Sequence, residues 1–359
     1  MPTYRLAEPT TQTVHTDPLT NQLLINRDVT NEVIAEEFLF PDYDKHRHDP
    51  FLLPGIDAAV ARILSAISNN ERIAIYADYD CDGIPGAVVL SDFFAAIEYS
   101  NVRTYIPHRH FEGFGLHAEA VEKLKADAVD LIITIDCGTA SVAAVARAAE
   151  LGVDVVITDH HEPGETIPAA VAIVNPKVAP SYPFTELCGA GVIFKVVEAL
   201  LQKGDFTLTA GREKWWLDMV GVATINDMVP LQGENRVLAH FGLRVLRQSR
   251  RPGLQQLLRK ARASQSHLTE DDVGFTIGPR INAASRMDTP EDAFALLTAT
   301  DTSSAGAHVE HLEKLNNERK GLVASMSKEL KKRVAQLETI PPVIVLGNPE
   351  WRPALVGLA

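Results

Sequence analysis

At 359 residues the chain is longer than one ordinary hydrophobic core organises, so two or more domains are expected. Its 46% hydrophobic and 23% charged residues describe a soluble globular protein, and no apolar run approaches the roughly 18 residues that span a membrane. A net charge of −13 excludes a uniformly basic nucleic-acid coat, and Cys81, Cys137 and Cys188 have no paired spacing, which points to a reducing, cytoplasmic compartment.

Residues 1–26 lack the basic start and apolar centre of a signal peptide. Up to about residue 70, Pro2, Pro9, Pro18, Pro41, Pro50 and Pro54 interrupt short helical stretches such as Thr30–Leu39, and a helix is expected over Asp57–Asn69. This reads as an appendage packed on the main domain, without chemistry of its own. From Glu71 strands alternate with helices. Ile73–Ala77, Val102–Ile106, Leu131–Ile135, Val153–Thr158 and Val171–Val174 read as strands, with helical spacing over Ile84–Ser100, Ala118–Ala126 and Ala140–Leu151. The fold class is therefore α/β, a largely parallel sheet with helices on both faces, and ligands are expected beyond the carboxyl ends of its strands.

Strand after strand ends there in a metal-binding residue type. The first runs into Asp78-Tyr79-Asp80-Cys81-Asp82-Gly83, the third into Asp136-Cys137-Gly138 and the fourth into Asp159-His160-His161; the helical run Trp215–Thr224 then delivers Asn226-Asp227-Met228. Singly, each fits a capping aspartate or a hydrogen-bonded core histidine as well as a ligand. Four at one sheet edge are hard to explain that way, because converging carboxylates repel without a cation. Carboxylates with an imidazole suit manganese or magnesium better than structural zinc. Two such ions roughly 3.5–4 Å apart would supply an activated water and neutralise phosphoryl charge, with His161 delivering a proton or stabilising the transition state.

Further on, Leu243–His267 holds Arg244, Arg247, Arg250, Arg251, Arg259, Lys260 and Arg262 and no acid, which is either a solvated helix face or a phosphate-backbone track. Helical periodicity runs from Thr302 to Gln336, and Val343–Leu346 begins a strand.

The first, third and fourth strand-end motifs, Ile225–Leu231 with Glu234-Asn235-Arg236, and Gly278-Pro279-Arg280-Ile281-Asn282-Ala283-Ala284 closely resemble, in order, the motifs of the DHH phosphoesterases over about residues 70–335. Within that family the chain is similar to the exonucleases that digest single-stranded DNA from 5′ to 3′ in DNA repair and recombination. The resemblance implies that Asp80, Asp82, Asp136, His160 and Asp227 coordinate two manganese or magnesium ions. It places Asp78 as a ligand or its outer support, lets Asp159 orient His160, and makes His161 catalytic beside Asp136 and Asp159. Arg109, in the loop Tyr105–Leu116, would bind phosphate with Arg280 and Asn282, whereas Arg286 suits a surface ion pair better. Gly189-Ala190-Gly191 reads as a packing point rather than a phosphate contact. Ile84-Pro85-Gly86-Ala87 departs from the family, which more often has small residues followed by a hydroxyl, but proline in a first helical turn is tolerated.

The implied organisation is an appendage over 1–70, the DHH catalytic domain over 71–232, a helical extension over 233–301, a long connector helix over 302–337, and over 338–359 the start of a DHH-associated domain that is cut short along with the oligonucleotide-binding domain. Partners implied by the resemblance are single-stranded DNA, a single-strand-binding protein and a recombination helicase, with no membrane. A phosphodiesterase for short oligonucleotides or cyclic dinucleotides would share the metal site without the Glu234-Asn235-Arg236 neighbourhood. A catalytically silent scaffold would have lost ligands that this chain keeps.

Overall fold

The structure, a computed structural model, describes residues 8, 10–337 and 339–359. Two short helices, α1 (Pro18–Ile25) and α2 (Glu32–Leu39), are capped by Asp17 and Asn31 and share a small core of Val14, Leu24, Val29 and Ala35. Helix α3 (Ile56–Ser68) then leads into the sheet, made of β1 (Ile73–Ala77), β2 (Val102–Tyr105), β3 (Leu131–Ile135), β4 (Asp154–Thr158) and β5 (Ala172–Val174). All pairings are parallel and the order is β2-β1-β3-β4-β5. The five strands expected from the sequence are all present, each within a residue or so of its expected bounds.

Alternate side chains of these strands enter two separate cores, as a pleated strand demands. Ile73, Ile75, Ile133, Ile135 and Val156 face α3, α4 (Gly83–Ala96) and α7 (Gly189–Lys203). Ala74, Tyr76, Ile132, Val155 and Ile157 face α5 (Ala118–Ala126) and α6 (Val142–Glu150). With both faces covered, a continuous apolar run is the stable strand composition. Strand order reverses between β1 and β3, and the crevice beyond their carboxyl ends is where such sheets bind ligands.

The first core continues without a break into α8 (Leu217–Asn226), α9 (Gly233–Leu246), α10 (Pro252–Ala261), α12 (Gly278–Met287) and α13 (Glu291–Thr298). A single turn, α11 (Glu270–Asp272), precedes a π-helical turn over Val273–Ile277. No gap in the apolar packing marks residue 232. Helix α14 (Thr302–Ala335), 34 residues or about 50 Å long, lies along α10, α12 and α13. The expected strand at Val343–Leu346 does not form. No neighbouring strand offers its backbone there, Val345 is exposed, and a lone strand has nothing to pair its amides. The short α15 (Pro353–Val356) instead folds back on α14, with Trp351 Nε1 donating to Glu329. Among the described residues no helix is long and apolar enough to cross a membrane.

The basic run is no continuous track. Arg251 is buried between Asp92 of α4 and Asp218 of α8, Arg247 donates twice to the Leu268 carbonyl, and Lys260 pairs with Glu310 of α14. Arg244, Arg250, Arg259 and Arg262 stay exposed, so the run divides between groups engaged by the fold and groups open to solvent.

Candidate metal centre

Backbone ladder bonds run one residue past each strand and set the acids in register. Asp78 N–H donates to the Ile135 carbonyl, Asp136 to Thr158, and Asp159 to Val174. Asp136 has a φ of 62°, in the left-handed region that few residues other than glycine, asparagine and aspartate adopt, and this backbone turn aims its carboxylate. Asp80 accepts the N–H groups of Asp82 and Gly83 and so caps α4. Asp82 is 1% exposed and accepts the N–H groups of Gly189 and Ala190 at 2.6 and 2.8 Å, taking two of the four orphan donors at the start of α7. The Gly-Ala-Gly stretch is thus a close packing point, as its sequence suggests, and its amides also cradle a carboxylate. A Cβ on Gly189 would lie 2.5 Å from Asp136 Cβ, so only glycine lets α7 approach this closely. Asp227 arrives from the end of α8.

Three overlapping groups of ligand atoms result. Asp78, Asp80 and Asp136 form one, Asp82, His160 and Asp227 a second, and Asp136, His160 and His161 a third, each with atoms within 4.8 Å of one another. His160 Nε2 is 3.1 Å from Asp136 Oδ1, 3.6 Å from Asp82 Oδ2 and 3.7 Å from Asp227 Oδ2. Asp136 therefore stands between two neighbouring positions for a cation. The electrostatics demand one. Burial, then the Asp80 charge, push the Asp78 carboxyl up to about 8; burial, then Asp82 and Asp80, do the same to Asp227. Burial, followed by Asp82, Asp80 and Asp78, raises Asp136 further, and burial lowers the basicity of His160. Asp78 Oδ1 and Asp136 Oδ1 are buried and accept no aligned hydrogen bond among the described residues. Orphaned buried oxygens converging beside one imidazole fit hard divalent cations such as manganese or magnesium.

Asp159 does something other than orient His160. Its Oδ1 lies 2.8 Å from Nδ1 of His161, and it also accepts backbone N–H groups from His160, His161 and Thr139. One residue of separation in a tight turn sends His160 inward to the acids and leaves His161 curled back over Asp159. Burial pushes Asp159 up, but the His161 bond and charge and the Thr139 amide outweigh it and hold the carboxyl at about 2. The same bond raises His161 above its ordinary value. His161, 46% exposed, stands at the mouth of the centre with Phe114 edge-on at 5.3 Å, beside a cleft of about 350 Å³ that Phe114, His117 and Ser141 help to line.

The two later arginines are held differently by the fold. Arg280 donates to both oxygens of Glu313 and to the Thr276 carbonyl, so its fork is occupied and turned from the acids. Asn282 Oδ1 accepts the Cys81 N–H and tethers the Asp78–Gly83 turn. Arg286 donates to the Ala354 carbonyl but has no carboxylate within 4 Å among the described residues, and burial, then the charges of Arg109 and Arg319, lower its basicity. Arg109 lies over the Tyr79 ring at 4.8 Å, near enough to Asp78 to favour its charged form. Arg319 of α14 shares only Asn316. Arg109, Arg286 and Arg319 thus form a cationic group without carboxylate partners beside the acids. The spacing of the long helix gives no sign that Arg319 belongs to it, since only the packing of α14 on α12 brings it there.

Residues 72–224 match the model of the DHH family, N-terminal domain. The single-stranded-DNA-specific exonuclease RecJ of Bacillus subtilis is 38% identical over 97% of the chain and 43% of its own length, and that of Thermus thermophilus 37% over 85% and 44%. The crystal structure of Thermus thermophilus RecJ with Mn2+ superposes with a TM-score of 0.80 at 32% identity, over 95% of this chain and 48% of that one. A manganese-bound exonuclease RecJ superposes at 0.76 and 36%, over 85% and 76%. The chain spans about half the length of the curated relatives it matches. With its fold, its motifs and most of its length matched in this way, the chain belongs to the RecJ family of DHH phosphoesterases.

Proposed function

We propose that this chain carries the catalytic core of a metal-dependent phosphodiester hydrolase that digests single-stranded DNA from its 5′ end. The observation that carries the reading is the Asp136-centred cluster, in which five aspartates and His160 converge with two orphaned buried oxygens. Asp78, Asp80 and Asp136 would hold one divalent cation and Asp82, Asp136, His160 and Asp227 its neighbour. When bound, such a pair supplies a nucleophilic water at neutral pH and neutralises phosphoryl charge. Around it, Asp159 fixes Nδ1 of His161 and leaves Nε2 free at the mouth to deliver a proton to the leaving oxygen. Arg109, Arg286 and Arg319 would grip the phosphates, the planar guanidinium fork meeting two oxygens of one phosphate. Phe114 offers a base an aromatic edge. A single-strand-binding protein and a recombination helicase, implied by the family, complete the reading.

The test is a 5′-phosphorylated single strand of about 40 nucleotides with manganese, its products resolved by length. The chain should shorten it from the 5′ end, and Asp136→Asn should abolish the ladder. Equal digestion by the variant, or digestion of duplex in preference, would sink the proposal.

A further inference from the structure

A second group of metal-ligating side chains lies outside the catalytic cluster, where α12 ends, α13 begins and α14 packs across both. Asp288 follows the last turn of α12, Asp292 sits in the first turn of α13, and His308 and His311 are three apart on one face of α14. His311 Nε2 is 3.1 Å from Asp292 Oδ2 and 3.6 Å from Asp288 Oδ2. A tetrahedral ion with nitrogen and oxygen arms of the zinc type separates its ligand atoms by about 3.3–3.6 Å, and these two spacings bracket that edge. Asp288, Asp292 and His311 have ligand atoms within 4.8 Å of one another, and the other oxygen of Asp292 is 3.9 Å from Nδ1 of His308, which stands beside these three as a fourth arm. We propose that Asp288, Asp292, His308 and His311 form a zinc-class site that clamps α14 to α12 and α13.

Its chemistry differs from that of the catalytic cluster. Two imidazoles with two carboxylates select a borderline-soft transition ion, whereas the cluster around Asp136 is nearly all oxygen. The placement gives the clamp a purpose. Helix α12 carries Arg286 and α14 carries Arg319, so an ion at their junction fixes the two arginines relative to each other and to the acids.

Cobalt(II) is the probe, added to the full chain in place of zinc. Tetrahedral cobalt absorbs far more strongly in the visible than a six-coordinate, oxygen-rich ion, so the new site is visible even while the catalytic cluster fills. An intense band that saturates at one equivalent and is displaced by zinc is expected. His308→Ala/His311→Ala should abolish it, and Asp288→Asn/Asp292→Asn should weaken cobalt binding by roughly tenfold or more. His308 and His311 are 31% and 38% exposed, so replacing them leaves the core alone. Circular dichroism checks this, and the single His311→Gln repeats the test at nearly unchanged bulk. Absence of the intense band in the parent chain, or its persistence in folded histidine variants, overturns the site.

Discussion

At the scale of single residues, the informative pair is His160 and His161. Adjacent in sequence, they are separated in function by the Asp159 turn, and spacing alone cannot tell which of them the carboxylate holds. The hydrogen bond to His161 decides it, and a consequence follows. Asp159→Asn should leave manganese affinity near the parent value while lowering kcat by roughly 10²–10⁴-fold, the range of a positioned proton donor. Calorimetric titration beside single-turnover rates separates the two, and a variant that instead lost its manganese would make Asp159 a ligand. The arginines divide in the same way. Arg286→Ala should raise KM for single strands with stability little changed. Arg280→Ala leaves a largely buried Glu313 unpaired, and should cost stability of about 3 kcal/mol, read by chemical denaturation. If Arg280→Ala raised KM as much as Arg286→Ala without unfolding the chain, the assignment would be reversed.

At the scale of elements, the sheet was legible because its signal is local: β1, β3 and β4 are apolar runs buried on both faces, while the edge strand β2, with Arg103 and Thr104 in it, shows itself through its β-branched and aromatic residues. So were the acids, since a strand end fixes where the next residue stands. What the sequence could not show is where a helix turns its charges. The run Leu243–His267 reads as basic throughout, yet Arg251 turns inward to Asp92 and Asp218, and Arg247, though exposed, spends its guanidinium on the Leu268 carbonyl. Arg319 reads as one scattered charge of a long helix for the converse reason. Nor does periodicity reveal the contact between α8 and α9, where Gly221 meets Gly242: a Cβ at Gly221 would lie 2.7 Å from the Gly242 Cα. Helix α8 delivers Asp227, so this contact sets the position of a ligand. Gly221→Ala should force the helices apart and destabilise the chain by about 1–3 kcal/mol. It should also weaken manganese binding, although residue 221 touches no metal. Thermal unfolding and a metal titration on the same sample check both effects, and a variant stable and fully manganese-competent would show that the helices do not need this approach.

Across the whole molecule, buried charge is tied in two different ways. Between the appendage and the core, Arg47, Glu198, Lys195 and Glu234 pair with one another and with Tyr182, so each charge has a partner. The catalytic cluster gathers five carboxylates whose repulsion Arg109, His161 and the two helix N-termini at Asp80 and Asp82 relieve only in part. Folding therefore works against this repulsion until cations bind, which couples metal to stability throughout the continuous core. Manganese at a hundred times its dissociation constant should add about 2.7 kcal/mol, a rise in Tm of roughly 3–4 °C for a chain of this size. Chelation should reverse it. Asp136→Asn separates this from ordinary damage to a core, because it removes a buried carboxylate that lacks a hydrogen-bond partner while keeping the shape of the side chain. Without metal the variant should unfold no lower than the parent, and with manganese it should gain little or nothing. A variant that was less stable without metal, yet kept the full manganese shift, would mean that Asp136 serves the fold and that the cations sit elsewhere.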